Sequence, residues 1–340
     1  MSYIITKKEN ISLITLQNNT NFEVTLASIG ASIYDIKLNN KSLVLTPSDF
    51  KNFITNTGYN GKTVGRYSGR ISHGECKINN TTYSLDLNDY PNSLHGGFDG
   101  LSYQNFDYDV VEKENKILVI FRLFEKENKL PGDVKYKITY TINFKDNSIK
   151  IHYDAISTKD TLMNLTNHTY FNLSYNHQSS VMDHSLKLYC NKYTKLDNTL
   201  ITTEVLPVNK VMDFTKAHKV KKYINDESLQ NHTAKGYDHC FIKADKNKSK
   251  IATFKDNNTK VSLDVYTSYP TIVVYACNYP SDALFLPNND HISKHYSLCL
   301  ECQYIPNGIN MENEDSAILK KNTHFNEYIK FRFKDGKLVK

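Results

Sequence analysis

Near the middle of the chain, Asn164-Leu165-Thr166-Asn167-His168-Thr169-Tyr170-Phe171-Asn172-Leu173 sets one imidazole among amides, hydroxyls and two aromatic rings. An imidazole changes charge near neutral pH, so His168 is a candidate for passing a proton. The residue types alone leave open a core histidine satisfied by Asn164 or Thr166. Glu301 stands in a β-like run from Tyr296 to Tyr304, where alternation places Cys299, Glu301 and Gln303 on one face and Leu298, Leu300 and Cys302 on the other. If the first face met solvent, Glu301 would be an ordinary exposed strand residue. Arg70 and His95 lie in a glycine-rich region containing Gly65, Gly69, Gly74, Gly96, Gly97 and Gly100. Glycines permit backbone shapes and close ligand approaches that other residues resist, although a set of plain turns would use them equally well. Asp238, in Gly236-Tyr237-Asp238-His239, reads as a turn residue or as an acceptor for paired hydroxyls.

These residues are far apart in sequence, so any common pocket has to be assembled by the elements that carry them. Short extended runs are expected at Ile11 to Leu16, Phe22 to Leu26 and Ile33 to Leu38, broken at Asn18-Asn19 and Gly30. Phe106, Tyr108 and Val110 share one face of a further strand, and Ile117 to Phe124 is a more continuous apolar run. The clearest hairpin alternates Val134, Tyr136, Ile138, Tyr140, Ile142 and Phe144 with polar residues, turns at Lys145-Asp146-Asn147-Ser148, and returns through Ile149, Ile151, Tyr153 and Ala155. A second runs from Ile251 to Phe254, through Asp256-Asn257-Asn258, to Val261, Leu263 and Val265. The chain closes on Ile329, Phe331 and Phe333. Helical periodicity is confined to a short stretch from Phe214 to Ile224 and a single turn from Ala283 to Leu286. There is no strand-helix-strand rhythm, dinucleotide fingerprint, phosphate loop or internal repeat. An all-β fold, one large antiparallel sandwich forming a single domain over residues 1–340, is the simplest expectation.

Composition agrees. Among 340 residues there are 24 Tyr, 16 Phe and no Trp, and these aromatics favour pleated, half-buried surfaces. The net charge of +6 comes from lysines scattered among Asn and Asp, without the basic stripe of a nucleic-acid binder. No apolar run approaches the roughly 20 residues of a membrane span, and the N-terminus lacks the pattern of a signal peptide, so a cytoplasmic protein is expected. The six cysteines then read as reduced thiols, with Cys299 and Cys302 as two buried strand residues and not a redox or zinc pair.

Five segments in this order carry a resemblance: Gly61-Lys62-Thr63-Val64-Gly65-Arg66-Tyr67-Ser68-Gly69-Arg70-Ile71, Pro91-Asn92-Ser93-Leu94-His95-Gly96-Gly97, Asn164 to Leu173, Gly236-Tyr237-Asp238-His239, and Leu300-Glu301-Cys302-Gln303. Together they resemble the aldose 1-epimerase, or galactose mutarotase, family. The resemblance spans nearly the whole chain. It implies a large, almost all-β sandwich, monomer or homodimer, acting on a small monosaccharide without cofactor or metal. It also implies roles: His168 as general acid, Glu301 as general base, and Arg70, His95 and Asp238 as groups that hold the sugar, with Tyr170 packing beside them. The implied reaction interconverts the α and β anomers of hexoses such as galactose and glucose. Two alternatives stay open. One is an epimerase for phosphorylated hexoses, for which Arg66 beside Arg70 is the hint. The other is a non-catalytic sugar-binding protein on the same scaffold. The chain departs from the family pattern at Gly69, where asparagine often stands, and at Val273, where a sugar-binding glutamine is common. Asn307 replaces an aspartate, and Thr202-Thr203-Glu204 replaces a proline-threonine-glycine turn. These departures bear on sugar preference more than on reaction type.

Overall fold

The computed structural model describes residues 2–17, 21–280, 291–312 and 317–336. The turn expected at Asn18-Asn19 and the helical turn expected from Ala283 to Leu286 lie outside them. Strands dominate, and every pairing between named strands is antiparallel. The three early runs form the strands Ile11–Gln17, Phe22–Ala27 and Ser32–Leu38, which join Ser2–Lys8 and Lys41–Ser42 in a five-stranded sheet.

The predicted hairpin is the spine of a nine-stranded sheet. Val134–Asn143 pairs with Ser148–Ser157 in unbroken register from Val134↔Ser157 to Asn143↔Ser148, so Phe144 belongs to the turn. The alternation seen in sequence is the alternation of burial: Val134, Tyr136, Ile138, Tyr140 and Ile142 face inward, while Lys135 and Lys137 face water. His324–Lys334 follows in the sheet, then Ser262–Thr267 and Lys250–Lys255, the second predicted hairpin. The third large sheet has six strands, in the order Tyr170–Phe171, Leu298–Gln303, Thr271–Tyr275, Asp238–Lys243, Cys190–Leu196 and Thr202–Pro207.

The nine-stranded and six-stranded sheets share an apolar core. Phe171 of the smaller sheet packs edge-on against Phe331 of the larger one, ring centroids 5.0 Å apart, and Phe333 of the larger sheet meets Phe22 of the five-stranded sheet at 5.8 Å. Leu298, Leu300 and Cys302 point into this core beside Ile272, Val274 and Phe241. That leaves the opposite face of the six-stranded sheet free to carry polar residues.

Two helical expectations change. The stretch from Phe214 to Ile224 holds only the single turn Lys221–Ile224, because Asp213 caps a turn at Thr215 and His218–Lys219 pairs with Ser185–Leu188 as the edge strand of the nine-stranded sheet. A helix not foreseen, Phe50–Thr55, starts at Asp49, whose side chain accepts from the Lys51 N–H, and buries Phe50 and Phe53. Among the described residues, no helix is long and apolar enough to cross a membrane.

Candidate active site

Backbone hydrogen bonds lace three distant stretches together. The His168 N–H donates to the Lys62 carbonyl and the Gly61 N–H donates back to the His168 carbonyl, both at 2.9 Å. Thr63–Val64 pairs with Thr166–Asn167, and Ser68 donates to the Asn164 carbonyl. Arg70–Ile71 pairs with Ser93–Leu94, bringing His95 against Gly69. Tyr170–Phe171 pairs with Leu298–Gln303, which delivers Glu301.

The polar side chains of the central segment are mostly spent on this lacing. Asn164 donates to the carbonyls of Ser68 and Tyr304, Thr166 to that of Cys302, Asn167 to that of Gly61, and Asn172 to those of Ser179 and Tyr296. Neither Asn164 nor Thr166 is paired with His168, so the alternative of a core histidine satisfied by them does not hold. Its imidazole instead faces a cavity of about 710 Å³, also lined by Arg70, His95, Tyr170, Asp238 and Glu301. All six residues singled out in the sequence therefore meet in one place.

The distances define a buried carboxylate–imidazole pair. His168 Nε2 lies 3.5 Å from Glu301 Oε1, and both residues are buried. Glu301 is thus not an exposed strand residue: its strand is covered on both faces, by the core on one and by the cavity wall on the other. Burial pushes the Glu301 carboxyl well above the usual carboxylate range; Asp238 adds to the rise and Arg70 opposes it. Burial also lowers the His168 imidazole to about 4. The neighbouring His95, its ring 5.4 Å away and perpendicular, is driven well below its ordinary value by burial, then by His168 and Arg70.

Around this pair the polar groups are held firmly. Arg70 Nε donates to Asp89 Oδ2 at 2.6 Å, while its Nη1 lies 3.7 Å from Asp238 Oδ2. Burial raises the Asp238 carboxyl, with Arg70 pulling it down and Asp89 pushing it up. The Gly69 N–H donates to His95 Nδ1 at 3.2 Å, which leaves the proton of the neutral ring on Nε2. Gly69 itself has φ of +81°, a left-handed geometry that favours glycine. Tyr170 donates its hydroxyl to the Gly58 carbonyl at 2.8 Å, so it offers the cavity its ring, 5.0 Å from that of His168.

His95, His168 and Glu301 bring three donor atoms within 4.8 Å of one another, the geometry nearest to a metal site among the described residues. With Nδ1 of His95 engaged by Gly69, that ring has no lone pair to give a cation without losing its hydrogen bond or its Nε2 proton. Arg66 does not enter the pocket. It is buried elsewhere, bonded to Glu125 at 3.1 Å, to the Pro131 carbonyl and to the Thr161 hydroxyl at 3.0 Å each. The second guanidinium that a phosphorylated sugar would call for therefore points away.

A family model described as aldose 1-epimerase matches residues 12–332. The chain belongs to the aldose 1-epimerase family. Among this family's members, the galactose mutarotase of Mus musculus is 30% identical over 323 residues, covering 91% of this chain and 90% of that protein. The aldose 1-epimerase of Haemophilus influenzae is 31% identical over 330 residues, 95% of each chain. The crystal structure of galactose 1-epimerase from Lactobacillus acidophilus NCFM superposes with a TM-score of 0.85 at 25% identity, covering 98% of both chains. The aldose 1-epimerase fold expected from the five segments is therefore the fold observed.

Several cavity residues escaped the sequence reading. Tyr59 stacks edge-on to His95 at 4.7 Å, and Tyr275 lies 6.1 Å from His168. Asp89 anchors Arg70. Tyr275 shares a register position with Asp238, but nothing in the sequence states which strands are neighbours. Gln303 was visible as the residue two beyond Glu301 on the same strand face. Of the departures noted above, Gly69, Val273 and Thr202 line the cavity. Asn307 instead spends its amide on the Ser72 N–H and the Thr202 carbonyl.

Proposed function

We propose that this aldose 1-epimerase interconverts the α and β anomers of a free hexose, with Glu301 as general base and His168 as general acid. The observation that carries the proposal is the buried carboxylate and imidazole, 3.5 Å apart, facing a cavity rimmed by Arg70, His95 and Asp238. Opening a cyclic hemiacetal needs a base for the anomeric hydroxyl and an acid for the ring oxygen. Glu301 takes the hydroxyl proton, the bond from the anomeric carbon to the ring oxygen breaks, and the ring oxygen takes a proton from the His168 imidazolium. The aldehyde rotates about the bond to the next carbon, and the two groups reverse roles to close the ring on the other face.

The electrostatics suit this cycle. A glutamate with an imidazolium and a glutamic acid with a neutral imidazole contain the same number of protons. Ring opening converts the first couple into the second, and burial favours the second because it carries no charge. The open aldehyde is thus formed together with the uncharged state of the pair, the one that burial penalises least. Arg70 lowers the Glu301 carboxyl and so keeps the charged starting couple within reach. Each well-placed proton transfer contributes on the order of a hundredfold to ten-thousandfold, and holding the sugar in register adds to it. Tyr170 packs its ring on the apolar face of the pyranose.

Polarimetry on freshly dissolved α-D-galactose and α-D-glucose at low buffer concentration tests the proposal. The protein should hasten the approach to an unchanged final rotation. No acceleration with either sugar would transfer the site to a different substrate or to binding without turnover.

A further inference from the structure

Gln303 lies in the wall of the same cavity, nearly inaccessible, and neither Oε1 nor Nε2 has a hydrogen-bond partner. A buried primary amide with both ends unused is costly, and native proteins rarely carry one without a reason. Its cross-strand neighbour Thr271 spends its hydroxyl on the Gln303 backbone carbonyl and not on the side-chain amide. Register places Val273 opposite Glu301 and Cys240 opposite Val273, and these two side chains form a small apolar cluster with Ile305. On the other side Gly69 contributes no side chain: a Cβ there would stand 2.6 Å from Pro306 Cβ and 3.4 Å from Gln303 Nε2. Arg70, His95 and Asp238 supply hydrogen-bonding groups to the rest of the cavity, whereas in this corner the amide is flanked by Val273, Gly69 and Pro306.

Resting on the proposed anomer interconversion, we infer that Gln303 is a specificity-determining residue that binds a hydroxyl pair of the hexose. An amide presents one acceptor and two donors in a plane. It therefore fits neighbouring hydroxyls of which one donates to Oε1 and the other accepts from Nε2. The strand fixes its place: two residues beyond Glu301 on the same face, Gln303 grips the sugar about 6–7 Å along the strand from the base. Because its partners arrive only with substrate, the residue carries an unmet hydrogen-bonding demand that a sugar lacking those hydroxyls leaves unmet. Sites of this kind discriminate strongly against the deoxy analogue.

The test compares wild type with Gln303→Met, which keeps the volume and removes both polar atoms, on D-galactose, D-glucose and their monodeoxy analogues. The expected result is a KM at least about fivefold higher for the preferred hexose, kcat little changed, and one monodeoxy sugar with the same KM for both proteins. Thermal stability should stay level or rise, because two unpartnered atoms have been removed; a merely structural glutamine would lower it. Unchanged KM for every sugar overturns the inference. If the Met variant does not fold, the wild-type side-chain amide resonance of Gln303 decides: a shift at saturating hexose supports the contact, and no shift overturns it. Wild type that hastens no mutarotation defeats the proposed reaction, and the same resonance still reports on the contact.

Discussion

Glu301 and His168 carry opposite shifts with one cause, burial, and that cause makes their roles separable by substitution. Glu301→Gln keeps the shape and removes the base. Turnover should fall at least about a hundredfold, while sugar affinity, measured by calorimetry, changes by no more than a few-fold. Polarimetric rates near those of wild type would place the base elsewhere. At the same scale, Arg70 has a part beyond the sugar binding proposed for it. Its guanidinium is fixed by Asp89 and faces Asp238, so it serves as the fixed positive charge that opposes the rise of Glu301.

At the scale of elements, the site depends on loops held by backbone contacts that tolerate no added atom. Gly96 follows His95 with φ of +89°, and a Cβ there would lie 2.1 Å from the Gly65 carbonyl oxygen. Gly96→Ala should therefore push the His95 loop away from the Gly65 to Arg70 segment. The expected outcome is a destabilisation of about 2 kcal/mol or more in urea unfolding, with a drop in kcat/KM because His95 and Arg70 move together. Wild-type stability in that variant would mean that the two loops are not coupled. Strand alternation also disposes of the Cys299 and Cys302 pair: three residues apart on one strand, the first sits against His168, with Sγ 3.6 Å from Nδ1, and the second enters the core. All six cysteines are buried and none is in a disulfide.

For the whole molecule, burial of neutral histidines sets a pH dependence. His168, His177 and His184 are lowered to about 4 and His239 to about 3, in each case chiefly by burial, and His95 is lowered well below its ordinary value. A depressed folded-state value means that the unfolded chain takes up protons first as pH falls below about 6.5. Stability from these groups is complete above that point and drains away down to about pH 4. Asp35, Asp238 and Glu301 are raised and act in the opposite sense over their own range. With His295 also lowered by burial, six histidines against three carboxyls should give a melting temperature that falls between pH 6.5 and 4 in thermal unfolding followed by circular dichroism. A rise over that interval would overturn the balance.

The strands and hairpins were legible in the sequence because a sheet with one face in the core writes its period of two directly into residue type. Val134 to Ile142 and Ile149 to Ala155 show this, and the five segments sufficed to name the family. The strand Leu298–Gln303 was harder, since burial on both faces leaves no solvent side to betray its orientation. The helix at Phe50 and the shortening of the one expected between Phe214 and Ile224 turned on single caps and an edge pairing, signals too local to dominate a periodic reading. What tertiary structure decided was which of the plausible polar residues face the cavity. Asn164, Thr166, Asn167 and Asn172 look as functional as His168 in sequence, yet they hold backbone, and Arg66 looks like a partner of Arg70, yet it braces Glu125. Residue type fixes what a side chain is able to do. Which partner it spends that capacity on depends on strand neighbours and loop contacts tens to hundreds of residues away, which no local pattern encodes.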